Sequence, residues 1–79
     1  MNLLPKKNGA LWKVEVASRA AAFSGHHSFS KTEHDSDLKK LIRALVEAEI
    51  AGWSNKMINN ASKRGAQSGV ALRKKRLGY

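Results

Sequence analysis

The residues best suited by type and spacing to do chemistry lie in two stretches. From Trp53 to Tyr79 the chain carries Lys56, Lys63, Arg64, Arg73, Lys74, Lys75 and Arg76, and no acidic residue. From Met1 to Gly52, eight basic residues face six acidic ones, a surplus of two; the last stretch adds seven, giving the net +9. A charge gradient this steep points to a polyanionic partner. Each neutralised phosphate of a nucleic acid releases condensed counterions, so log affinity should fall with log salt by about 0.9 per duplex phosphate contacted. Arginine can also fork onto a phosphate or a guanine edge, which lysine cannot do bidentately. Nucleic-acid contacts are therefore expected at these seven residues, with Lys13 and Arg19 adding to them. The bland reading of the same run is a solvated C-terminus that only keeps the chain in solution.

The second stretch is Gly25-His26-His27-Ser28-Phe29. An imidazole, whose ordinary pKa lies near working pH, can take a proton from a ribose hydroxyl. The pentapeptide resembles the Gly-x-His-His-x-Phe segment of HicA-type mRNA interferases. Leu3-Leu4 followed by Lys7-Asn8-Gly9 is similar to the segment leading into that family's first strand. The resemblance implies a small ribonuclease toxin with a double-stranded-RNA-binding-like fold and His26 or His27 as catalytic base. Taken from the residues alone, the pair reads as two polar histidines beside a turn, so no catalytic residue is assigned and an enzyme is not the favoured class.

His26, His27 and His34 can be drawn together with Glu33, Asp35 and Asp37 as metal ligands, but their spacing matches no zinc or calcium arrangement. No metal and no cofactor is expected. Cysteine is absent, which excludes disulfides and thiolate sites. No apolar run approaches membrane-spanning length, and Val70, Leu72 and Leu77 make no convincing lipid-facing surface, so a membrane partner is disfavoured. Without a signal-peptide pattern the expected location is the cytoplasm, and the small size suggests a microbial or phage protein.

Those residues need elements to hold them. At 79 residues there is room for one core, and alanine supplies 11 of the apolar residues, so the core is thin and a homodimer would compensate. Residues 1–9 read as a lead-in, with Pro5 opposing helix and Asn8-Gly9 as a turn signal. Trp12, Val14 and Val16 alternate with Lys13 and Glu15, the pattern of a half-buried strand. Ser18 to Phe23 reads as a second strand or its approach, ending in the Ser24-Gly25 turn, and a return strand at His26–Lys31, with Phe29 inward, completes a hairpin over residues 10–31.

From Asp37 to Ala51 a helix is expected, capped by Asp35 or Ser36 and stopped by Gly52. Its apolar stripe is Leu38, Leu41, Ile42, Leu45 and Ala48. Ser54 caps a second helix, which places Trp53, Met57, Ile58 and Ala61 toward the core and stays short because Asn59 and Asn60 are poor helix formers. Residues 63–69, with two glycines, read as loop. Both tryptophans are in phase with apolar positions and are expected in the core.

The sum is an α+β fold: a small antiparallel sheet of two to three strands, one main helix, a short second helix and a basic C-terminal extension. Residues 10–62 form the domain and 63–79 the extension. The expected function is binding of nucleic acid, DNA ahead of RNA, through the basic C-terminal segment. The alternatives are the ribonuclease toxin using His26 and His27, and a small inhibitor that docks its basic surface on an acidic protein surface.

Overall fold

A computed structural model describes residues 3–26 and 28–78, with side chains described from Gly9 onward. It contains three helices: α1, Leu3–Phe23; α2, Lys31–Ile50; and α3, Asn55–Leu77. The described residues include no strand, so the expected α+β fold, with its small sheet, is replaced by an all-helical one.

The hairpin assigned to residues 10–31 is mostly α1. Its buried positions are Ala10, Val14, Ser18 and Ala21, spaced by four, four and three along the chain, which is a helical stripe. Of the three residues expected to share a strand face, Val14 is fully buried while Trp12 is 65% exposed. The alternation misled because the true stripe is built from alanine and serine, which carry little weight in a periodicity of large side chains. Alanine is also the strongest helix former, and Ala20-Ala21-Ala22 extends α1 to Phe23. Pro5 falls in the first turn, where its missing N–H has no intrahelical acceptor to lose.

The chain reverses between Phe23, the last residue of α1, and Lys31, the first of α2. Phe23 and Phe29 pack edge to face with centroids 5.4 Å apart, holding the two ends of the turn together. Ser30 then caps α2: its Oγ accepts the Glu33 N–H at 3.1 Å, in the Ser-x-x-Glu pattern of a capping box. The helix therefore starts six residues before Asp37, and neither Asp35 nor Ser36 is the cap. Its end is as expected: α2 stops at Ile50, and Gly52 takes a left-handed φ of 95°.

Ser54 caps α3, accepting the Met57 N–H at 3.3 Å. The helix is far from short. It runs 23 residues through Asn59, Asn60 and the supposed loop at 63–69, and it takes in most of the basic extension. What overrides the weak propensities is packing against α1. A Cβ on Gly65 would collide with the Glu15 carbonyl oxygen and come within 2.9 Å of the Ser18 Cβ. One on Gly69 would collide with the Arg19 carbonyl oxygen and come within 2.9 Å of the Ala22 Cβ. Ala61, Gly65 and Gly69 thus form a flat ridge, four residues apart, that lets two backbones approach. Ser18 Oγ donates to Ser62 Oγ at 2.9 Å across this seam.

The core is small. Ala10 and Val14 of α1, Ala44 and Ala48 of α2, and Ile58 and Ala61 of α3 are buried together, with Leu11, Leu45 and Trp53 packed partly against them. Helix α1 is central: α2 and α3 both lie on it and touch each other little.

Candidate nucleic-acid interface

The burial of Ile58, Ala61, Gly65 and Gly69 against α1 fixes which face of α3 meets solvent. At 3.6 residues per turn, the opposite face carries Lys56, Asn60, Lys63, Gln67 and Lys74 in one line, and all five are exposed. From Lys56 to Lys74 this row runs about 27 Å. Lys75 and Arg76 are exposed at its C-terminal end. Helix α3 has no acidic residue to neutralise the row.

Local stability does not account for these cations as a set. Lys74, Lys75 and Arg76 sit in the last turn, where the helix dipole favours positive charge, and the Gly78 N–H closes that end on the Lys74 carbonyl at 2.9 Å. Lys56, however, lies in the first turn, where the dipole disfavours a cation by about 0.3–1 kcal/mol. Lys63 lies mid-helix and gains nothing from either end.

The nine residues expected to contact nucleic acid divide into two groups. Lys56, Lys63, Lys74, Lys75 and Arg76 stand exposed on α3. The other four have partners within the chain. Lys13 pairs with Glu47 at 3.8 Å. Glu15 receives both Arg19, at 3.7 Å, and Arg64, whose Nε donates to it at 3.2 Å. Arg73 donates from Nη1 to the Ala22 carbonyl at 2.6 Å, closing the C-terminus of α1. Arg64 and Arg73 thus pin α3 onto α1. Arg19 is partly sunk, its Nε buried with no hydrogen-bond partner among the described residues. Arg19 and Arg76 converge on one open groove floored by Phe23, Phe29 and Leu72.

The histidine segment sits in the α1–α2 turn. His26 Nδ1 accepts the Ser28 N–H at 3.1 Å and lies 3.0 Å from Ser28 Oγ. In the neutral ring this leaves the proton on Nε2, so the nitrogen that a base would use is occupied by the turn. His27 lies outside the described residues. His34 Nδ1 is 3.2 Å from the buried Ser24 Oγ, tying the turn to α2. The sheet that the interferase resemblance implies does not occur among the described residues, and no cluster of three metal-ligating side chains occurs there either.

Trp12 corrects a further expectation, since it is exposed on α1 rather than set in the core. Asn59, Asn60 and Gln67 are not among the nine residues expected to contact nucleic acid. Their amides flank the lysine row, and the signal that could have found them is the spacing of Ile58, Ala61, Gly65 and Gly69, which fixes the opposite face. No helix of the described residues is long and apolar enough to cross a membrane. No protein-family model, curated protein or solved structure gives a significant match to the chain.

Proposed function

We propose that the chain binds double-stranded nucleic acid, DNA ahead of RNA, along the outward face of α3. One observation carries the reading: a 23-residue helix without an acid aligns Lys56, Lys63 and Lys74 on the face turned away from its packing partner. Such a row suits phosphates spaced regularly along a duplex. The B-form major groove admits an α-helix, whereas the A-form groove is too narrow and deep for one, which places DNA first. The interleaved amides of Asn59, Asn60 and Gln67 can donate and accept toward base edges, while the lysines supply affinity independent of sequence.

The test is fluorescence anisotropy with a labelled DNA duplex, titrated between about 50 and 200 mM salt. Contacts from Lys56, Lys63, Lys74, Lys75 and Arg76 predict a log–log slope of about −4.5. An affinity indifferent to salt, or no binding at the lowest salt, would remove this reading. A matched RNA duplex binding more tightly than DNA would reverse the preference stated here.

A further inference from the structure

Helix α2 uses its side chains in an inverted order of size. Its buried residues are Ala44 and Ala48, while Leu38, Ile42, Val46 and Ile50 are exposed, Ile42 by 61% and Ile50 by 80%. The sequence reading placed Leu38 and Ile42 against the core. Instead α1 takes the alanine face, and the larger side chains recur every four residues on the other side. Single exposed apolar residues are ordinary, but four aligned along three turns of one helix mark an interaction surface.

We propose that this face joins two copies of the chain through an antiparallel α2–α2 contact. The occupant follows from charge. Outside α2 the molecule is strongly basic, but Lys31–Ile50 holds four basic residues against five acidic ones, so this is the surface where two +9 chains meet with least repulsion.

The pattern is also self-complementary. Lys39, Ile42, Val46 and Glu49 are spaced three, four and three, the seam of a short coiled coil. About a two-fold axis level with Ala44, Ile42 of one copy meets Val46 of the second. Lys39 of one copy meets Glu49 of the second, and the reciprocal pair repeats the contact. A self-complementary patch of this kind is what a two-fold dimer requires. Leu38 closes one flank of the seam, and Ile50 closes the other. Parallel pairing would instead set Lys39 against Lys39 and Glu49 against Glu49. The contact uses no residue of the α3 row, so it stands or falls separately from the proposed function. A dimer would present two basic rows to one duplex, and the second would engage at high effective concentration.

The experiment is sedimentation equilibrium on the full chain over a range of concentrations, repeated with variants. Wild type should approach twice the 8.7 kDa chain mass as concentration rises. Val46→Asp should weaken dimerisation at least tenfold while circular dichroism keeps the helical signal, because Val46 is half exposed in the monomer. Lys39→Glu and Glu49→Lys should each weaken it. The double swap K39E/E49K should restore it, a recovery that general loss of folding cannot imitate. A chain that stays monomeric throughout, or a dimer unaffected by Val46→Asp, overturns the proposal. Failure of the double swap to recover overturns the antiparallel register.

Discussion

The seam between α1 and α3 and the outer face of α2 use side-chain size in opposite ways. At the seam, Gly65, Gly69, Ala61 and Ser18 are buried, and a methyl added to either glycine has nowhere to go. On α2, isoleucine and valine stand in solvent. Between these two surfaces, burial therefore follows how closely two backbones approach rather than side-chain size. The seam gains dispersion contacts and backbone proximity from small residues, at the cost of area that large ones would bury. The outer face of α2 keeps that area in reserve.

Breaking the seam should have the largest effect. Gly65→Val forces a Cβ into the Glu15 carbonyl and should cost about 3 kcal/mol, lowering Tm by roughly 15 °C in a thermal melt followed by circular dichroism. A melt unchanged by this substitution would mean that α3 does not lie on α1 as described. Val14, the largest fully buried side chain, comes next: Val14→Ala should cost about 2 kcal/mol, read from the urea midpoint at constant slope. Losing the α2 cap in Ser30→Ala should cost about 1 kcal/mol. Gly9 sharpens the contrast from the other side. Its added Cβ meets nothing within 4 Å, so Gly9→Ala should stabilise by up to about 1 kcal/mol through helix propensity alone. Two glycines in the same fold would then respond with opposite signs.

The sequence told its story unevenly. Gly52 as a stop and Ser54 as a cap were legible because each acts through its own backbone and its immediate neighbours. The α2 helix was legible too, though its cap at Ser30 was passed over for Asp35 and Ser36. The seam was not legible. Gly65 and Gly69 carry the local signature of a loop, and only the presence of α1 turns them into contact points. Likewise Trp12, Val14 and Val16 fit a strand as well as a helix, and the choice rests on alanines whose burial is a tertiary fact. Of the candidate site, the cations were found by composition, but their division was hidden. Nothing local shows that Arg64 reaches Glu15, forty-nine residues away, or that Arg73 closes the end of α1.

The central claim is that position on α3, beyond total charge, makes the binding surface. The most direct test compares two triple variants that each remove three positive charges: K56Q/K63Q/K74Q on the outward row of α3, and K31Q/K40Q/R43Q on α2. Each is titrated with salt against one DNA duplex. The α3 variant should flatten the log–log salt slope by about 2.7, while the α2 variant leaves it within about 0.5 of wild type. Equal losses in the two variants would contradict the claim and reduce the row of lysines to three charges among fifteen.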